Sequence, residues 1–325
     1  MDRTILEVKE LKTFYYTPLG VVKGVNGVSF SLRQGETLGL VGESGSGKSM
    51  TALSILRLVP PPGRIVGGEI KFDGEDLLHK SEGEMRQIRG KRISMILQDP
   101  MTSLNPVLTI GDQVTEPIRM HQKVEKLTAF ERAREILHQL SIPAPEIRMR
   151  EYAHQMSGGM RQRIVSAMAL SCQPSLLIAD EPTTSLDVTT QARFLSLLKK
   201  IKQELGFAMI FITHDFGIVA KVCQRVAIMY AGKIVENSEL RDVFDRPAHP
   251  YTIALMKSLP ILGAKTKRLY SIEGQPPDPC DLPPGCSFAP RCPRAMEICN
   301  LQYPPESVVE DNHLVSCWLR VETNK

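Results

Sequence analysis

The run Gly42-Glu43-Ser44-Gly45-Ser46-Gly47-Lys48-Ser49 constrains this chain more than any other feature. It fits Gly-x-x-x-x-Gly-Lys-Ser/Thr and follows the short apolar run Thr37-Leu38-Gly39-Leu40-Val41. From Met50 to Val59 the apolar spacing then suits a buried helix. Strand, glycine loop and helix in that order make a cradle for phosphate. Glycines let backbone N–H groups curl around the oxygens, and the helix N-terminus adds a favourable partial charge. In such a loop Gly42, Ser44, Gly45 and Gly47 shape the cradle. Lys48 reaches the β- and γ-phosphates, and the Ser49 hydroxyl ligates Mg²⁺.

Strand-like runs recur at Ile93-Ser94-Met95-Ile96-Leu97, Leu176–Ala179, Ala208–Ile212 and Val226–Tyr230, the last with a hairpin turn near Gly232. Strands alternating with helices predict an α/β parallel-sheet core. Upstream, residues from Ile5 to about Val41 read as short strands with turns, including the alternation Val28-Ser29-Phe30-Ser31-Leu32. From about residue 107 to 171 the pattern is helical and charged, as in Phe130-Glu131-Arg132-Ala133-Arg134-Glu135-Ile136-Leu137, and predicts a helical subdomain. After about Pro260 the composition shifts to Pro, Gly and Cys, which marks a linker and a small appended module. The expected division is residues 1–259 and 260–325.

The net charge of +4 over 325 residues is small and argues against a nucleic-acid partner. No stretch approaches the roughly 20 apolar residues of a membrane-spanning helix. The N-terminus, Met1-Asp2-Arg3-Thr4-Ile5-Leu6-Glu7, lacks the apolar core of a secretory signal. The chain is expected to be soluble and cytosolic, with any membrane link made through a partner.

Asp180-Glu181 closes the apolar run Leu176-Leu177-Ile178-Ala179. At a strand end beside a phosphate loop, Asp180 can face Mg²⁺ through water and Glu181 can polarise the attacking water as general base. A solvated loop is the plain alternative. Gln98 and His214 also end strands, where ligands gather in open α/β sheets. Gln98 would touch Mg²⁺ and water, and His214 the γ-phosphate. Either residue alone could be structural.

Taken in order, Gln98, Ser157-Gly158-Gly159, Asp180-Glu181, Ser185-Leu186-Asp187 and His214 make the chain resemble the ATP-binding subunit of an ABC transporter, over about residues 5–259. The resemblance implies a P-loop NTPase core with N-terminal antiparallel strands, a helical subdomain, and ATP buried between two subunits. Ser157, Gly158 and Gly159 would meet the γ-phosphate of ATP held by the opposing subunit. Asp187 would line the dimer interface, and Gln98 would sit at the hinge toward membrane-spanning subunits. Tyr15 would stack on adenine, a position that Tyr16 or a core role fits as well.

A closer likeness lies in Gln98-Asp99-Pro100-Met101-Thr102-Ser103-Leu104-Asn105-Pro106, in His249-Pro250-Tyr251-Thr252 and in the cysteine-bearing tail. These resemble the oligopeptide/dipeptide importer branch. The branch implies ATP hydrolysis that energises peptide import, at the cytoplasmic face of the cell membrane as a peripheral subunit. Its partners would be a second ABC ATPase subunit, two transmembrane permease subunits and an extracytoplasmic solute-binding protein. Met160 stands where glutamine is more usual, which favours an unlike second ATPase subunit. Importers of nickel, opines or other small solutes share these features. A soluble ABC-type ATPase acting on DNA or ribosomes is the remote alternative. It would be expected to show a coiled-coil insert, two ATPase units or a basic arm.

Five of the seven cysteines lie between Cys280 and Cys317. In a reducing compartment such a cluster reads better as metal ligands than as disulfides. The spacings of Cys286, Cys292, Cys299 and Cys317 match neither paired zinc knuckles nor ferredoxin patterns, so a metal site and free thiols both stay open. Resemblance to peptide-importer ATPases with a similar tail implies a 4Fe–4S cluster on these four, ahead of zinc. Cys280 lies outside the pattern. Cys172 and Cys223 read as small core residues in helical stretches.

Overall fold

The computed structural model describes residues 3–259, 270–310 and 312–321. The linker expected to begin at Pro260 lies outside the described residues through residue 269, and so do Met1 and Asp2.

In chain order, β1 (Thr4–Thr17) and β2 (Gly20–Arg33) come first. They are two long strands where several short ones were expected. Pairing in a common sheet carries the backbone through Gly24 and Gly27, which local propensity reads as turn residues. The fully buried β3 (Thr37–Val41) leads to the glycine loop and α1 (Lys48–Ile55). Then follow β4 (Gly63–Phe72), β5 (Glu75–Asp76), α2 (Glu82–Ile88) and β6 (Ile93–Ile96). A capping box starts α2: Ser81 Oγ accepts from the Glu84 N–H, and the Glu84 carboxylate accepts from the Ser81 N–H. The helical stretch holds α3 (Pro100–Ser103), α4 (Ile110–Gln122), α5 (Lys126–Gln139), α6 (Pro145–Arg148) and α7 (Gly158–Leu170). Next come β7 (Leu176–Asp180), α8 (Val188–Leu205), β8 (Ala208–Thr213), α9 (Phe216–Val222), β9 (Arg225–Tyr230) and β10 (Lys233–Glu239). The chain ends through α10 (Leu240–Asp245), α11 (Pro250–Lys257), α12 (Glu297–Leu301), β11 (Glu306–Glu310) and β12 (His313–Ser316).

These elements form two compact units. The first contains residues up to Ile5, Leu32–Thr37 and His79–Ile212. Here β6, β7 and β8 run parallel, with Ile96 opposite Ala179 and Asp180 opposite Ile212. Both faces of β7 and β8 are buried, which is why they read as continuous apolar runs. Beside them α4 packs on α5 and α7 through Ile110, Val114, Ala133, Leu137 and Ile164, all fully buried.

The second unit contains Leu6–Ser31, Leu38–Leu78 and the chain from Thr213 onward. One of its sheets has the order β2-β1-β4-β5, with β4 antiparallel to β1 and to β5. Its other strands run β11-β12-β10-β9-β3, with β3 parallel to β9. A two-residue turn, Ala231 at φ 45° and Gly232 at φ 79°, joins β9 to β10 as a tight hairpin requires. The strands β11 and β12 were not anticipated. They lie in the Pro- and Cys-rich segment and add to the sheet through β10, where Glu236 pairs with Val315. A small core of Ala248, Val315 and Cys317 closes over them.

Candidate functional site

In the second unit the glycine loop leaves the buried end of β3 and enters α1. Two of its glycines are dictated by close approach. A Cβ on Gly42 would stand 2.2 Å from the Met229 carbonyl oxygen, and one on Gly47 would stand 2.2 Å from that of Gly24. Gly47 is also left-handed, at φ 103°, and as N-cap offers α1 no capping side chain. The first-turn N–H groups of α1 are thus suited to an anion. Lys48 is buried and its Nζ donates to the carbonyls of Gly42 at 2.8 Å and Glu43 at 2.9 Å. The ammonium is therefore held inside the ring that the loop describes. Gly45 and Ser44 lie exposed on the rim, and Ser49 is half-buried in the first turn of α1.

His214 lies exposed just beyond β8. Its neighbour Asp215 caps α9 by accepting from the Gly217 N–H at 2.7 Å.

In the first unit Asp180 is the last residue of β7 and is buried. Glu181 follows with φ 43°, a left-handed conformation that costs a glutamate free energy. Its N–H donates to Ile212 O at 3.0 Å. Its Oε2 accepts from Gln98 Nε2 at 3.3 Å and from Thr184 Oγ1 at 3.0 Å. The fold thus brings Gln98 to Glu181 and adds Thr184, which carried no sequence signal.

Ser157 is exposed and is the N-cap of α7, accepting from the Met160 N–H at 3.4 Å. Gly158 and Gly159 form the first turn of that helix. Asp187 likewise caps α8, accepting from the Thr190 N–H at 2.9 Å. The Thr190 hydroxyl and, after it, the Thr190 N–H hold the Asp187 carboxyl below the usual range. Tyr15 is half-buried on β1 with its ring against Gly63 of β4, and burial pushes its hydroxyl pKa up. Tyr16 is exposed, with the Arg64 guanidinium 5.9 Å from its ring centre.

Cys286, Cys292, Cys299 and Cys317 line one small cavity together with His249 and Trp318. Cys280 does not line it and lies against Gly20. Burial pushes the Cys286 thiol up to about 11, and the neighbouring sulfurs add to the rise. Cys317 and Cys292 are raised chiefly by burial as well. Among the described residues, no group of three or more His, Cys, Asp or Glu side chains is arranged to hold a metal ion. Cys172 and Cys223 sit just past the ends of α7 and α9 rather than within helices. Cys223 is buried, and half-buried Cys172 approaches Pro117 O at 3.4 Å.

Sequence reasoning missed the surroundings of Glu43. Its N–H donates to Tyr251 Oη, and its carboxylate pairs with Arg291. The His249-Pro250-Tyr251 motif acquires a physical role here. His249 Nδ1 caps α11 by accepting from the Tyr251 N–H at 3.0 Å, Pro250 takes the first helical position, and Tyr251 reaches the glycine loop.

Among the described residues no helix is long and apolar enough to cross a membrane. The family described as ABC transporter matches residues 25–184, and that described as oligopeptide/dipeptide transporter, C-terminal region, matches residues 235–299. The chain is 51% identical to a probable peptide ABC transporter ATP-binding protein of Sinorhizobium fredii, over 97% of this chain and 94% of that one. It is 50% identical to the dipeptide transport ATP-binding protein DppD of Bacillus subtilis, over 97% and 95%. With the oligopeptide transport ATP-binding protein OppD of Salmonella typhimurium the identity is 48%, over 98% and 94%. Among solved structures it is similar to a dimeric, post-hydrolysis ATP-binding cassette bound to ADP and phosphate. The TM-score is 0.66 at 26% identity, covering 73% of this chain and 99% of that one.

Proposed function

We propose that this chain, which belongs to the ABC transporter family of ATP-binding subunits, hydrolyses ATP to energise import of oligopeptides or dipeptides across the cytoplasmic membrane. The observation that carries this reading is near-full-length identity of about one half to peptide-importer ATP-binding proteins, cysteine-bearing tail included. The names of these relatives favour peptides over nickel or opines as cargo. The same kinship speaks against a soluble ATPase acting on DNA or ribosomes.

In this reading residues 1–259 form the ATPase domain, with its helical subdomain at about 107–171, and residues 260–325 form the C-terminal module. Gly42, Ser44, Gly45 and Gly47 wrap the phosphates of ATP, Lys48 holds the β- and γ-phosphates, and Tyr15 stacks on adenine. Ser49, Asp180 and Gln98 hold Mg²⁺, which when bound neutralises charge developing on the phosphates. Glu181 takes a proton from the attacking water, and His214 orients the γ-phosphate. Ser157, Gly158 and Gly159 serve ATP bound by a second, unlike ATPase subunit, and Asp187 lines that interface. Two permease subunits and an extracytoplasmic binding protein complete the transporter, with this chain peripheral on its cytoplasmic side.

We further propose a 4Fe–4S cluster on Cys286, Cys292, Cys299 and Cys317. What supports it is that all four line one cavity. A cluster spreads four thiolates over four irons. Ligation would also reverse the buried thiols' reluctance to ionise. Anaerobic purification should yield coloured protein with iron and labile sulfide in equal amounts, lost in Cys299→Ser. Colourless, iron-free protein would end this part of the reading.

The transport reading is tested in proteoliposomes holding the whole transporter and its binding protein. Labelled peptide should accumulate with ATP, and peptide should stimulate phosphate release, both abolished by Lys48→Ala. Stimulation by nickel but by no peptide would overturn the cargo.

A further inference from the structure

Two residues from the C-terminal part of the chain grip the glycine loop at Glu43. Arg291 Nη1 donates to Glu43 Oε2 at 2.8 Å and Nη2 to Oε1 at 3.1 Å, a two-pronged pair. The Arg291 side chain is only 5% exposed. Tyr251 Oη accepts from the Glu43 backbone N–H at 2.9 Å. Arg291 itself is locked in place. Nη1 also donates to Tyr230 Oη at 3.2 Å, and Nε donates to Glu273 O at 3.2 Å. The guanidinium lies against the rings of Tyr230 and Phe288, which pack with Tyr251. Its backbone forms the tight turn between Cys286 and Cys292.

Glu43 is the second residue of the loop, and its carbonyl is one of the two that hold the Lys48 ammonium. The forked ion pair anchors the Glu43 side chain, and the Tyr251 bond holds the Glu43 N–H, which shares its rigid peptide plane with the Gly42 carbonyl, the other acceptor of the Lys48 ammonium. The pairing has an electrostatic side as well. A carboxylate in a loop built for phosphate repels its ligand, and a guanidinium on that carboxylate offsets the repulsion.

We propose that Arg291 and Tyr251 are positioning residues for ATP binding, which hold the phosphate loop and Lys48 in receiving geometry and neutralise Glu43. The inference rests on the assignment of Gly42–Ser49 as the ATP loop. It makes the C-terminal segment part of the nucleotide-binding machinery rather than an appendage.

The test measures the Kd for Mg–ATP on the full chain, and KM and kcat in the assembled transporter. Arg291→Ala should raise Kd and KM about tenfold, with kcat at saturation far less affected. Arg291→Lys should recover part of the loss. Adding Glu43→Gln to Arg291→Ala should recover part as well, because it removes the uncompensated charge; a residue that merely supported folding would give no such rescue. Tyr251→Phe deletes one hydroxyl, should cost about fivefold, and serves if the arginine variant fails to fold. Kd values within about twofold of wild type for both sites would overturn the inference. So would an Arg291→Ala loss untouched by Glu43→Gln. Wild-type protein that bound no ATP would instead sink the parent assignment.

Discussion

Gln98 Nε2 donates to Glu181 Oε2 across 3.3 Å, and the two residues lie just beyond the ends of the parallel neighbours β6 and β7. The bond is long and Gln98 is exposed, so it costs little to break. Thr184 Oγ1 holds the same oxygen more closely, at 3.0 Å. The carboxylate is thereby aimed while the glutamine stays exchangeable. Glu181→Gln keeps the shape and removes the proposed base. It should bind ATP with near wild-type affinity and lose about 10²- to 10⁴-fold in phosphate release. Turnover within a few-fold of wild type would remove Glu181 from the role of base.

Ser157 offers a test of the shared-site reading because its local duty can be kept while its surroundings change. Aspartate caps a helix as well as serine does, so Ser157→Asp should leave α7 intact. If Ser157 faces the γ-phosphate of ATP held by the partner subunit, the added negative charge should sharply reduce hydrolysis by the assembled transporter. ATP binding to the isolated chain should be unchanged. A fully active Ser157→Asp transporter would reduce Ser157 to a helix cap.

Local order explains what could be read ahead of the fold. The glycine loop is eight contiguous residues, and two of its three glycines, Gly42 and Gly47, are required by backbone that crowds them to 2.2 Å. Strands β7, β8 and β9 are buried on both faces, so each shows an unbroken apolar run, and expected and observed ends agree within one residue. In contrast, β11 alternates exposed and half-buried residues, and β12 carries His313, buried because Glu236 receives it. A polar residue whose partner is 77 positions away leaves no periodic trace. Arg291 and Glu43 are 248 positions apart, and pairing at that separation is a property of the fold alone.

Acid sensitivity should centre on His249. Its Nδ1 must be unprotonated to accept from the Tyr251 N–H, and burial pulls its pKa down to about 4, against the opposing pull of Glu236. An unfolded histidine titrates near 6.5. Between those values the unfolded chain binds more protons than the native one, so stability falls as pH is lowered from about 6.5 toward 4 and is fully present above that window. The slope is at most about 1.4 kcal/mol per pH unit. His249→Asn keeps an acceptor at the cap and cannot titrate, so its denaturation midpoint should vary less across this window. An equally steep variant would move the sensitivity to other groups.

The strongest stability effect is expected where β12 joins the sheet. Glu236 is fully buried, and burial alone would raise its pKa. Hydrogen bonds from His313 and from the backbone N–H groups of Ala248 and His249 outweigh that and hold its carboxyl below the usual range. His313 Nε2 donates at 2.8 Å, and the two N–H groups do so at 2.8 and 2.9 Å. His313→Ala leaves a buried carboxylate one donor short, which costs about 3–5 kcal/mol and should appear as a large fall in melting temperature. Glu236→Gln added to it should recover part, since a neutral amide needs less compensation than a charge. Cys317 follows directly on β12, so if it carries the proposed 4Fe–4S cluster, a chain weakened there should also lose iron more readily to a chelator. An unaltered melting temperature in His313→Ala would show that the pair is dispensable for docking β12. Lowered stability with undiminished iron would separate the docking of β12 from the cysteine cavity.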